Sequence, residues 1–315
     1  MLHSSLSLAL LVVLFWSTAA TAFELALRWV TPYQLLLWSV VVSTLVLGLL
    51  LVTRGGLAAL ARLPRRTLLQ GLALGALNPF LYYLTLFAAY DRLPGQVAMA
   101  LNYAWPLVLA VLAVPLLKQP LTRSQMAAIL ISFVGALIIV TGGQLGFSAG
   151  LDGLGLVLAL GSTMIWAIFW LLNARHGADP VAMLFLGFAS GLVLTLAMAP
   201  LVSELAWSGA WSALLPPAAA WPALVYVGLF EMSITFVLWL TALRRTRHAA
   251  RLGQLIYLTP FLSLLFLHLI VGEPLLPATF IGLLIIVGAL IWSARTAMQN
   301  RTKPGADGID SSTRG

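Results

Sequence analysis

The sequence predicts an all-α integral membrane protein: ten transmembrane helices in two inverted five-helix repeats around a central cavity. Three observations carry that prediction. Of the 315 residues, 61% are hydrophobic and only 8% charged, whereas soluble domains are about a quarter charged. Mainly apolar windows of about 20 residues, the length a helix needs to span hydrocarbon, recur along the chain with short connections. Finally, a segment of the first half aligns on one in the second half without a gap.

The first window, Ser5 to Leu27, contains an Ala-x-Ala at Ala20 to Ala22, which raises the alternative of a cleaved signal peptide. Against it, no Lys or Arg precedes the apolar run, and the run continues past the site. Pro32 to Val52 is the second window. The third, Leu68 to Ala89, carries Asn78, Pro79 and Tyr82, and Gln96 to Leu117 carries "LNYAWP". Ser124 to Thr141 completes the first half. Leu151 to Leu172 brings Ser162, Thr163 and Trp166 to mid-window, and Pro180 to Leu201 follows. Pro222 to Ala242 centres on Glu231, Ala250 to Val271 carries Tyr257 and Pro260, and Ala278 to Ser293 is the last. The longer loop "SELAWSGAWSALLPPAAAWP" holds Trp207, Trp211 and Trp221 and suits the interface, where indoles prefer to lie. "NRTKPGADGIDSSTRG" reads as a disordered tail.

Charge supports the count. With connections assigned alternately to two sides, all of the 17 Lys and Arg residues except Arg28 and Arg92 fall on one side. By the positive-inside rule both termini are then cytoplasmic. The net charge of +8 is accounted for by that orientation, without a nucleic acid partner. No cysteine is present, which excludes disulfides, Cys metal sites and thiol nucleophiles.

Sliding Tyr82 to Leu121 onto Phe236 to Leu275 matches Tyr103 with Tyr257, Pro106 with Pro260 and Pro120 with Pro274, each 154 residues on. Five helices separate the copies, and an odd number inverts orientation. Such repeats are typical of secondary transporters, which bind substrate near the midplane at the repeat interface. The expected units are residues 1–145 and 146–296, with a disordered cytoplasmic tail at 297–315.

Pro106 and Pro260 fall mid-window, where a proline removes its own N–H and frees the carbonyl four residues earlier, those of Asn102 and Ile256. Irregular backbone at that depth is tolerated when buried in protein or facing a wet cavity; a packing kink is the alternative. At the same depth stand Trp16, Asn78 with Pro79, Tyr82, Asn102, Tyr103, Trp105, Thr163, Trp166, Glu231 and Tyr257. Each indole N–H there needs a partner. These residues are read as lining a substrate-binding cavity, with core residues bonded to a neighbouring helix as the alternative for any one of them. Pro79, Pro106 and Pro260 are the expected gating kinks. Glu231, the acidic residue deep in a helix, must be protonated, paired or facing water.

No Lys or Arg lies in that layer, so a strong anion would lack a counter-charge. Aromatic faces with one carboxyl suit a zwitterion or cation bearing an apolar part. Gly71 and Gly75 in "GLALG", and Gly187 and Gly191 in "GFASG", permit close helix approach. An enzyme is not expected: His-Glu-x-x-His is absent, and His3, His176, His248 and His268 lack metal spacing. No metal or cofactor is expected. A receptor or structural bundle is the alternative of another class.

Together with "GEPLLPATFIGLLIIVGALI" near the end and "KQPLTRSQMAAILISFVGALII" near the middle, these features resemble the EamA-type drug/metabolite transporter superfamily over nearly the whole chain. Asn102, Tyr103, Trp105 and Pro106 resemble the Asn-Tyr-x-Trp-Pro stretch of its YddG-like amino acid exporters. The resemblance implies outward transport of aromatic or hydrophobic amino acids through a central cavity gated by rocking of the two halves; an inner-membrane carrier working as a monomer or weak homodimer is expected, with amphiphilic cationic drugs or other metabolites as the alternative substrates. Two departures touch substrate and coupling: Gln119 stands where the second half keeps Glu273, and Trp38 where many members carry an arginine.

Overall fold

The computed structural model describes residues 5–117, 123–141, 150–173, 179–202, 211–245 and 254–302. Its described elements are helical, with no strand among them. In order they are α1 (Ser5–Leu27), α2 (Pro32–Thr53), α3 (Leu57–Ala61), α4 (Arg65–Gly75), α5 (Tyr82–Tyr90), α6 (Gly95–Asn102), α7 (Trp105–Leu117), α8 (Arg123–Thr141), α9 (Gly153–Asn173), α10 (Pro180–Val202), α11 (Trp221–Tyr226), α12 (Ile234–Arg245), α13 (Thr259–Phe266) and α14 (Pro277–Thr302). Three π-helical segments interrupt the series, at Ala76–Leu81, Val227–Glu231 and Leu267–Val271.

Seven described helices are long and apolar enough to cross a membrane: Ser5–Leu27, Pro32–Thr53, Arg65–Tyr90, Gly153–Asn173, Pro180–Leu201, Ser212–Ala242 and Pro277–Thr296. Arg123–Ile139 and Leu255–Val271 are shorter apolar helices. The fourth window is divided by a turn at Tyr103 and Ala104. At 1.5 Å per residue, neither α6 nor α7 spans about 30 Å of hydrocarbon alone. The protein is a multi-pass membrane protein, and exposed side chains such as Leu45, Leu130, Phe133 and Val157 form the apolar surface that lipid covers.

Helix starts follow capping chemistry. The Thr31 hydroxyl accepts the Gln34 N–H at 3.2 Å while Gln34 Oε1 accepts the Thr31 N–H at 2.9 Å, and Pro32 stands where its missing N–H is no loss. Asp152 caps α9 by accepting the Gly155 N–H at 2.9 Å, and Asp179 caps α10 through Ala182 at 3.0 Å. The Gly155 amide, and then Arg92 at 3.1 Å, hold the exposed Asp152 carboxyl below the usual range. The loop before α11 docks on α2, where the Trp38 indole donates to Leu214 O at 2.7 Å and Trp38 meets Trp221 edge to face. Trp38 therefore anchors that loop.

α8 lies along α14; α10 packs on α2 and α4; α9 packs on α5 and α7; α1 packs on α12 and α13. The small-residue faces meet as expected. A Cβ on Gly75 would lie 2.1 Å from Gly187 O, so no larger residue fits that crossing. Ser190 seals it by donating to Leu72 O at 2.7 Å.

Two expectations change. Pro106 and Pro260 do not kink continuous helices: each is the second residue of a helix that restarts, α7 after the Tyr103–Ala104 turn and α13 after the 3₁₀ turn Gln254–Leu258. A proline is pre-set for that position because the first N–H groups of a helix lack intrahelical partners. The chain expected to leave the last helix at 297 stays helical to Thr302, since Ala, Met, Gln and Arg are all good helix formers. Residues 303–315, like His3, Gln119, His176, Trp207 and His248, lie outside the described residues.

Candidate functional site

A cavity opens where the interrupted helices meet. Its walls come from α1, α5, α6, α7, α9, α12 and α13, together with Glu231 at the end of its π segment. The free interior measures about 110 Å³, room for several waters at about 10–15 Å³ each. Of the residues singled out by sequence, Trp16, Tyr82, Asn102, Tyr103, Trp105, Trp166 and Glu231 line it.

The rings form a continuous wall. Tyr82 stacks on Trp166 with centroids 4.4 Å apart, Trp105 meets Trp166 edge on at 6.5 Å, and Trp16 meets Phe236 edge on at 6.0 Å. Edges and faces of opposite partial charge meet in such pairs, which fixes ring orientation. Asn102 is the polar hinge of the wall. Its Oδ1 accepts the Tyr82 hydroxyl at 3.3 Å, its Nδ2 donates to Ser162 Oγ at 2.8 Å, and Ser162 donates to Ala159 O at 2.7 Å. The chain of bonds joins α5, α6 and α9 and sets the Asn102 amide against the cavity.

Glu231 is held on one side only. Its Oε1 accepts the hydroxyl of Tyr83, which is wholly buried, at 3.2 Å. Oε2 has no protein partner. A buried carboxylate oxygen left in that state calls for a proton, a water or a ligand group. Among the described residues, no lining side chain is Lys or Arg and Glu231 is the one carboxyl of the wall.

Three expected lining residues lie elsewhere. Asn78 is buried, 2% exposed, outside the cavity wall, with both amide atoms unpartnered. Its backbone leaves helical geometry (φ −142°, ψ 119°) inside the Ala76–Leu81 segment, which turns the side chain away from the lining of the following turn. Pro79 presses instead against Gly191. Thr163 donates to Leu160 O at 2.6 Å on its own helix. Tyr257 sits in the 3₁₀ turn, packed on the core, and Ile256 takes the cavity-facing position.

The wall also holds residues not foreseen from sequence: Phe23, Leu86, Tyr90, Met99, Trp170 and Trp239 among them. Helical spacing was the available signal. Leu86 and Tyr90 follow Tyr82 at intervals of four, Trp170 follows Trp166 by four, and Met99 precedes Asn102 by three, so each shares a face with a residue already placed. Nothing marked Tyr83 as the partner of Glu231. Among the described residues, no group of three His, Cys, Asp or Glu side chains could hold a metal.

Apolar helices that enclose a small cavity with one carboxylate oxygen lacking a protein partner are an arrangement suited to a membrane transporter. A family model of EamA-like transporters matches the chain twice, over residues 3–141 and 153–295. The chain belongs to the EamA-like transporter family, of the drug/metabolite transporter superfamily, and is a membrane transporter. It is 25% identical to the Bacillus subtilis transporter YvbV over 294 residues, covering 91% of this chain and 90% of that protein. It is 27% identical to protein PecM of Dickeya dadantii over 241 residues, with 73% and 75% covered. A solved crystal structure superposes with a TM-score of 0.63 at 21% identity, covering 94% of this chain and 98% of the other, a likeness of fold.

Proposed function

We propose that the protein exports amino acids, aromatic or hydrophobic ones foremost, across a bacterial inner membrane by alternating access around this cavity. One observation carries the substrate reading: an aromatic wall holds an amide, Asn102, and a carboxylate oxygen of Glu231 without a protein partner. The free oxygen receives an ammonium group and the rings receive an apolar side chain. Asn102 Nδ2 and the indole N–H groups are the donors for a carboxylate. At about 110 Å³ the space is below the roughly 150 Å³ that admits benzene, so an aromatic solute enters as the walls move apart.

In this reading ten spans form two inverted halves, 1–145 and 146–296, with both termini cytoplasmic. Several observations support it. The same family model matches each half. α7 and α13 restart 154 residues apart, each with proline second. The packing pairs exchange as inversion requires: α4 on α10 answers the Val227–Glu231 segment on α2, and α9 on α7 answers α1 on α13. Rocking of one half against the other needs joints at the cavity, and the helix restarts are placed to serve as them.

A second reading, export of amphiphilic cations, is favoured by the carboxylate being unaccompanied by Lys or Arg among the described residues of the wall. Counterflow into proteoliposomes decides. Saturable exchange of labelled tryptophan or leucine, inhibited by unlabelled amino acids, is expected. Exchange of quaternary amines with no amino acid flux replaces the first reading by the second, and no flux of either removes both.

A further inference from the structure

We propose that Glu273, seated on the N-terminus of α6, is a latch that holds one end of the cavity shut by tying the two halves of the bundle together. The proposal uses the division into halves given above but not the substrate assignment.

The contact is built from both sides. After the Leu267–Val271 segment the chain reverses at Gly272, whose φ of 83° is in the left-handed region that favours glycine. The reversal delivers the Glu273 carboxylate to the start of α6. Oε1 accepts the Gly95 N–H at 2.8 Å, and Oε2 accepts both the backbone N–H and the side-chain amide of Gln96 at 3.2 Å. Those N–H groups have no intrahelical acceptor, and the helix terminus carries partial positive charge, so a carboxylate is the fitting partner.

Gln96, 2% exposed, completes the join by donating to Pro274 O at 2.8 Å and accepting the Leu276 N–H at 3.1 Å. Arg28 adds a bond to Val271 O at 3.1 Å, and His268 Nδ1 lies 2.9 Å from Glu273 O. All of this lies at the end of the bundle remote from Ser5 and Thr302. Phe23 and Tyr90, edge to face at 5.2 Å, line the cavity, and Phe23 precedes Glu24, which lies against Gly95. While the latch holds, α6 and the connection before α14 cannot separate, and solute has no way out past those rings.

Gly95 is the seat. A Cβ there would lie 2.7 Å from Glu24 Oε1, 2.9 Å from Glu24 Cγ and 3.0 Å from Glu273 Oε1, so a methyl group crowds the seat from the Glu24 side and leaves the Glu273 carboxylate less room on the amides. Glu273→Gln loosens the latch in another way. However its amide is turned, its NH₂ faces donors of Gly95 or Gln96. Glutamine is also the residue the first half carries at the aligned position, 119.

The chain has no native cysteine, so a single introduced thiol reports access without background. Leu86→Cys places it in the cavity wall one turn from Tyr90, and Trp29→Cys, exposed at the same end, serves as control. A membrane-impermeant maleimide is applied to right-side-out and inside-out vesicles, and labelling of Trp29→Cys identifies the relevant face. From that face, Glu273→Gln and Gly95→Ala are each expected to raise the labelling rate of Leu86→Cys about tenfold, the population change that loss of a charge-assisted bond produces. An unchanged rate in Glu273→Gln overturns the latch. Should that variant fail to reach the membrane, Gly95→Ala decides by the same criterion. Unchanged labelling alongside saturable flux removes the latch alone, while faster labelling without flux of any solute removes the transport substrate alone.

Discussion

The seam of α8 and α14 and the ring of helices around the cavity are built from similarly apolar sequence, yet only the ring is broken. α8 and α14 run unbroken, and Gly135 and Gly282 let them approach until a Cβ on either would lie within 2.7 Å of the other's carbonyl oxygen. Every backbone bond there stays inside its own helix, as a lipid-facing position demands. At the cavity the chain departs from the α-helix at Tyr103–Ala104, Val227–Glu231 and Gln254–Leu258, while the break at Ala76–Leu81 lies against α10 at Gly191. Irregular backbone at membrane depth survives only against protein or water. The breaks therefore concentrate where the molecule is hollow, and the seam is where it is solid.

Substitutions test that division, beginning with the largest effect. Gly75→Leu drives a side chain into Gly187 O at a crossing with no free space and is expected to abolish folded yield in detergent, read by size-exclusion chromatography. Overpacking costs about 1–3 kcal/mol even where neighbours can move, and here the obstacle is backbone. Trp166→Ala removes the ring that touches Tyr82, Trp105 and Phe236. Counterflow is expected to fall about a hundredfold while yield falls less than twofold; equal losses would place Trp166 in the solid part.

Asn102→Ala cuts the bonds from Tyr82 to Ser162, and about a tenfold loss of flux at kept yield is expected from one or two net bonds of about 1 kcal/mol. Asp152→Asn, at an exposed cap, has the smallest effect. Its carboxyl titrates below its ordinary value in the folded protein, so its contribution to stability is fully present above the ordinary carboxylate range and is lost as pH falls from there through the lowered folded-state value. The variant is expected to show a slightly lower melting temperature at neutral pH and none of that difference in acid.

The apolar outer surface and the crossing of α4 with α10 at Gly75 and Gly187 were legible in the sequence because hydrophobic windows and small-residue spacing are local patterns, whereas no pattern read from the sequence pointed to the seam of α8 and α14. The cavity was legible in part. Tryptophans and an amide at mid-window pointed to it, and Trp16, Asn102 and Trp166 line the cavity. Depth alone gave no rotation. Asn78 and Tyr257 do not line the cavity and sit in a π segment and a 3₁₀ turn, where the regular helical register is broken. "VGLFE" carries no proline to announce the break at Val227–Glu231. The bond between Gln96 and Glu273 joins residues 177 positions apart, beyond the reach of any local pattern.

Solvent access to the cavity wall tests the hollow most directly. Ala20→Cys, in a wall residue 3% exposed, and Val134→Cys, on the seam's outer face and 51% exposed, are treated in membranes with N-ethylmaleimide. A thiol reacts as thiolate, which forms in water and not in hydrocarbon. Reaction at Ala20→Cys, slowed by a transported solute, with none at the more exposed Val134→Cys, is the expected result. An inert Ala20→Cys beside a reactive Val134→Cys would contradict the account.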